Sequence, residues 1–136
     1  MQGVSVLLYL VASVGLAALA LKYLFGPAPT AYHAEILKRA GVATNPAVTR
    51  VTAALNQVLG ASFLAFAVLV AVVAVFGVGS GLFWANAGIL VSVLIVGGIA
   101  TRVTYETEKA TGVRTPWRQG AGLTGLSVLA FILDAL

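Results

Sequence analysis

The 136-residue chain is 60% hydrophobic and only 9% charged, against about a quarter charged in a soluble domain, and its mean hydropathy is +1.04. So few charges exclude a water-exposed surface around an ordinary globular core. The net charge of +4 is better explained here by membrane orientation and anionic headgroups than by nucleic acid, and the absence of cysteine excludes disulfides, thiolate nucleophiles and thiolate metal sites.

A bilayer core takes about 20 apolar residues in a helix, and four stretches fit. The first runs from about Val4 to Phe25. It has no basic start and is longer than a signal-peptide core, so a retained helix is expected. Gly26-Pro27 closes it. From Thr30 to Gly41, Tyr32, Ile36, Leu37 and Ala40 fall on one side of a helix, and Glu35, Lys38 and Arg39 on another. That pattern suits a short amphipathic helix on the membrane surface. Asn45-Pro46 reads as an N-cap followed by proline in the first helical position. It starts a second helix whose apolar run spans about 58–78. A tight turn, Gly77 to Gly81, leads into the third run at about 82–100, continuing to Thr111 before Gly112. Thr115-Pro116 reads as another N-cap and proline pair ahead of a short fourth run at about 120–136.

The expected fold is therefore all-α: one domain over residues 1–136, an up-down bundle of four transmembrane helices. The second and third helices are expected to extend beyond the bilayer as an antiparallel pair of neighbours. All eight basic residues flank two loops: Lys22, Lys38, Arg39 and Arg50 the first, Arg102, Lys109, Arg114 and Arg118 the other. Basic residues beside short loops stay in the cytoplasm, so both termini are expected outside. The aromatics Tyr9, Phe76, Phe83 and Trp84 then fall near the outer interface, and Tyr23, Phe25, Tyr105 and Trp117 near the inner one. Small-residue pairs at four-residue spacing, Ala61/Ala65, Gly88/Ser92 and Ala121/Gly125, suggest close helix packing.

Few polar groups are placed for chemistry. Asn56, Gln57 and Arg102 lie just on the cytoplasmic side of their apolar runs. Glu106 is one turn beyond Arg102, at a spacing that allows pairing. Arg50, His33 and Tyr105 fall in the same zone, which reads either as an interfacial polar layer or as a cleft. Asn86 reads as a helix–helix hydrogen bond. No ionisable residue lies at the centre of a span, which argues against an ion-coupled transporter. His33, the only histidine, is too few ligands for a transition metal, and no histidine or carboxylate accompanies the serines as a hydrolase requires.

Arg102 and the segment Arg114-Thr115-Pro116-Trp117-Arg118, with the run from Asn45-Pro46 to Asn56, resemble the MAPEG superfamily of small four-helix membrane enzymes of eicosanoid and glutathione metabolism. The resemblance implies a trimeric transferase in which Asn56, Arg102 and Arg118 hold glutathione and Tyr105 contacts it. The chain departs from that pattern at Leu59, where the family has glutamate, at Thr52 and Leu55, where it has arginines, and at Gln119, where it has serine. A glutathione carboxylate needs cationic partners, and these departures remove several. The segment Gly26 to His33 also resembles small bacterial membrane proteins carrying Gly-Pro-x-Pro-x-x-Tyr-His, and that likeness implies no activity.

The leading expectation is a non-catalytic accessory or scaffold subunit, or a lipid-binding protein, of a bacterial inner membrane. It would have no cofactor, and its partners would be the bilayer and either further copies of itself or a larger complex. A MAPEG-like transferase is the alternative, followed by a carrier or homo-oligomeric pore for a neutral solute.

Overall fold

The computed structural model describes residues 2–136. Five α-helices follow one another: α1 (Gln2–Phe25), α2 (Ala31–Arg39), α3 (Pro46–Phe76), α4 (Phe83–Thr111) and α5 (Trp117–Ala135), with a short 3₁₀ turn at Val78–Ser80. Three segments, Gln2–Phe25, Pro46–Ser80 and Phe83–Thr111, are long and apolar enough to cross a membrane. Their outer faces carry bare aliphatic and aromatic side chains, among them Leu7, Val14, Val58, Val68 and Phe83, each more than half exposed. Water tolerates no such continuous apolar surface, whereas hydrocarbon does.

Local chemistry sets the helix ends. The Asn45 side chain accepts the Val48 N–H at 2.9 Å, with Pro46 in the first turn. Gly112 ends α4 at φ +66°, and Gly81 closes the 3₁₀ turn at φ +72°, a left-handed conformation in which a Cβ is strained. The expectation at Thr115-Pro116 is corrected by one residue: Pro116 itself occupies the N-cap position of α5. Thr115 is drawn away because its hydroxyl donates to the Thr104 carbonyl at 2.8 Å and its N–H to the Glu108 carboxylate at 2.8 Å. These two bonds tie the loop back onto α4 instead of capping α5.

α1 is the central helix. It packs on α3 and on α5, and α5 packs on α4. Gly60 lies against Ala20 and Leu24, Gly15 against Leu123, and Gly97 and Gly120 against Thr124 and Thr101. Gly97 meets Thr124 while Gly120 meets Thr101, so α4 and α5 run antiparallel. The expected pairing of α3 with α4 is not found: they touch sparingly, and α4 reaches α3's neighbour α1 through α5. The physical reason is the size of the facing residues. On α3, Gly60, Ala67 and Ala74 are buried at seven-residue spacing, and on α1 Ser5, Ala12, Ser13 and Ala20 are buried. Small faces let backbones approach closely, which is what drives helix association in an apolar solvent.

The small residues that do this are not the expected ones. Ala61, Ala65, Gly88 and Gly125 are exposed and Ser92 and Ala121 only half-buried, and a Cβ at either of those glycines meets nothing within 4 Å. A rotation of about 100° per residue puts Gly60, and not Ala61, on the α1 side. The buried apolar core, including Tyr9, Val70, Ala74, Val78, Ala85 and Ile89, gathers at the end of the molecule that carries the α3–α4 turn. At the opposite end lie all eight basic residues: the end of α1, α2, the start of α3, the end of α4, the loop that follows it and the start of α5.

Candidate functional site

Because α3 and α4 stay apart below their turn, a cavity of about 580 Å³ opens between them, backed by α1 and α5. Leu16 and Leu19 of α1, Phe63 and Phe66 of α3, Val96 of α4 and Leu123 of α5 form its walls. This volume is within the roughly 300–1,000 Å³ typical of ligand pockets, which are likewise mostly apolar. Two of the hydroxyls along it are committed to the helix backbone, Thr104 Oγ1 to the Ala100 carbonyl at 2.7 Å and Ser127 Oγ to the Leu123 carbonyl at 3.1 Å, whereas Ser13 Oγ has no hydrogen-bond partner among the described residues. Such a space accepts hydrocarbon along most of its length.

α2 stands at the basic end of this cavity. Tyr32 and His33 line it, and the Tyr32 hydroxyl lies 3.3 Å from the Tyr23 hydroxyl on α1. The rings of Tyr32 and His33 have centroids 4.0 Å apart, and His33 Nδ1 is 2.9 Å from Thr30 Oγ1. The expected amphipathic helix is therefore present, with Tyr32 turned onto α1 and the cavity. Burial, with a smaller contribution from the Tyr23 hydroxyl, pushes the Tyr32 phenol above its ordinary value. Burial also holds the His33 imidazole below its ordinary 6.5. A depressed folded-state value means that the unfolded chain binds the proton first as pH falls, so stability is full above about 6.5 and declines below it. Thermal melting in detergent between pH 8 and pH 5 is expected to show this decline, and His33→Gln is expected to flatten it. An unchanged slope in the variant would remove His33 as the cause.

A second cavity of about 560 Å³ adjoins the first, sharing Leu19, Tyr23, Tyr32 and Pro116 as common walls. It is bounded by Lys22, Arg39, Arg114 and Glu35. Glu35 and Arg39 pair at 2.9 Å on α2. The hydrogen bond from Arg39 holds the Glu35 carboxyl below its ordinary range. Among the described residues, Lys22 and Arg114 belong to no ion pair. The sequence had offered Lys22 and Arg114 only as orientation charges. They stand far apart in the chain, and no spacing rule brings them to one rim.

The residues singled out from the sequence go elsewhere. Asn56 is buried, one turn before Gly60, and its amide nitrogen has no hydrogen-bond partner among the described residues. Arg102 is exposed and paired with Glu106 at 2.8 Å, as its spacing predicts. Tyr105 packs edge-on against Trp117 with centroids 5.3 Å apart. Arg118 lies over the same indole at 4.6 Å and reaches Glu108 at 3.1 Å. Tyr105 and Arg118 thus meet through Trp117, whereas Asn56 and Arg102 keep separate surroundings. None of the four lines either cavity.

At the far end, Tyr9 donates its hydroxyl to Asn86 Oδ1 at 2.5 Å, and Asn86 Nδ2 donates to Asp134 Oδ2 at 2.7 Å. This chain of bonds joins α1, α4 and α5. Asn86 is the helix–helix hydrogen bond expected of it. Tyr9 is fully buried between the helices. Among the described residues no group of three or more His, Cys, Asp or Glu side chains is placed to hold a metal ion. No protein-family model, no curated protein and no solved structure matches this chain.

Proposed function

We propose that the chain is an integral membrane protein of four transmembrane helices, α1, α3, α4 and α5. Both ends lie outside and the basic end faces the cytoplasm, where the protein binds lipid as a non-catalytic accessory or scaffold subunit. The observation that carries this reading is the apolar cavity between α3 and α4, walled by four helices and about 580 Å³ in volume. In a bilayer such a space fills with hydrocarbon, because leaving it empty forfeits dispersion contacts along its walls. The gathering of basic residues at one end supports the orientation. The Arg118 and Trp117 contacts fit an interfacial layer at the start of α5.

The experiment is native mass spectrometry of the protein released gently from its membrane. A lipid retained by the protein is expected. Ala100→Phe, which projects a ring into the cavity from α4, is expected to lower lipid retention several-fold with little loss of thermal stability. A protein that carries no lipid, or a variant that retains as much as the parent, would end the reading. A homotrimer that carries glutathione would replace it with the transferase alternative.

A further inference from the structure

The two cavities together have the shape and chemistry of one amphiphile. The larger is walled by aliphatic and aromatic side chains. The smaller carries three cations and one carboxylate, with that carboxylate already paired to Arg39. They meet at Tyr23 and Tyr32, whose hydroxyls face each other at 3.3 Å, so the polarity changes across two phenols that have an apolar ring on one side and a polar tip on the other.

Resting on the lipid-binding reading above, we propose that the ligand is an anionic phospholipid. Its acyl chain would occupy the apolar cavity, and its phosphate would be held at the rim by Lys22 and Arg114. Charge complementarity selects it over a zwitterionic lipid. Among the described residues, Lys22 and Arg114 are in no ion pair, and they flank a pocket whose one lining carboxylate, Glu35, is already neutralised by Arg39. A phosphate ester supplies charge-assisted acceptor oxygens for both cations. The site is on the same side as every other basic residue of the chain, so a bilayer lipid enters with its headgroup already at the correct level. The opening between α3 and α4 gives its chain a lateral route. Lys22 and Arg114 are exposed, as a rim facing headgroups must be.

The test uses the full chain in nanodiscs containing equal amounts of phosphatidylglycerol and phosphatidylcholine with identical chains, read by native mass spectrometry. Phosphatidylglycerol is expected to be retained preferentially. Lys22→Gln and Arg114→Gln are each expected to reduce that preference about fivefold, the value of one cation beside an anionic surface. Arg114→Lys is expected to keep most of it, which shows that loss in the glutamine variants is not misfolding. Arg50→Gln, on the same end but outside both cavities, is expected to leave it unchanged. Equal retention of both lipids, or an equal loss in Arg50→Gln, would overturn the proposal while the lipid-binding reading stood. Failure to retain either lipid would remove that reading as well. Displacement of the lipid by millimolar inorganic phosphate alone would assign the rim to a free anion and overturn the lipid as its source.

Discussion

Gly60→Val is expected to destabilise the protein by about 2–3 kcal/mol, the upper part of the range for forcing extra carbon into a packed contact. A Cβ on Gly60 would stand 2.9 Å from the Ala20 carbonyl oxygen and 2.9 Å from the Leu24 backbone nitrogen. Both obstacles are backbone atoms of α1, so no side-chain rotation relieves the clash and α1 must move away from α3. That movement also loosens the remaining small-residue seam at Ala67 and Ala74. Gly88→Ala and Gly122→Ala serve as controls. Their added methyl groups meet nothing within 4 Å, and alanine improves the helix by up to about 1 kcal/mol. Reversible unfolding in mixed micelles is the measurement. If Gly60→Val matched Gly88→Ala, α1 and α3 would not be in close backbone contact at Gly60.

Asn86→Ala is expected to have a comparable effect, about 2 kcal/mol. Interhelical hydrogen bonds in membrane proteins average only about 0.6 kcal/mol, because the unfolded chain finds other partners. The larger figure is expected here because one side chain serves two groups at once. Removing it leaves the Tyr9 hydroxyl without its acceptor and the Asp134 carboxylate without its donor, and an orphaned buried polar group costs about 1–3 kcal/mol. Asp134 already holds a second oxygen with no partner among the described residues, so it has little left to lean on. Tyr9→Phe, which removes one bond and keeps the ring packed against the core, is expected to cost about 1 kcal/mol. Equal losses for Tyr9→Phe and Asn86→Ala would mean that Asp134 gains nothing from the amide.

Much of the linear organisation was legible before any coordinates. Pro46 after Asn45, Gly81 and Gly112 each have one residue-level reason to stand where they do, and the helices begin and end accordingly. Thr115 misled because a hydroxyl within reach of several acceptors chooses among them in space, and here Thr104 and Glu108 of α4 were nearer than its own helix. The polar zone expected from Asn56 and Arg102 assumed that helices joined by a short turn pack together. α3 and α4 are joined by such a turn and still keep a cavity between them.

The sequence by itself determined the all-helical character, the three of its four expected spans that are long and apolar enough to cross a membrane, most helix termini, and the concentration of positive charge at one end, because hydropathy, capping and proline geometry act over a few residues. Only the tertiary structure decided that α1 lies at the centre, that Gly60 rather than Ala61 makes the close contact, and that Lys22 and Arg114 share a rim. Partner choice among apolar helices is set by how closely two whole faces fit. That fit depends on the rotation and depth of each helix against every other, which no local pattern carries.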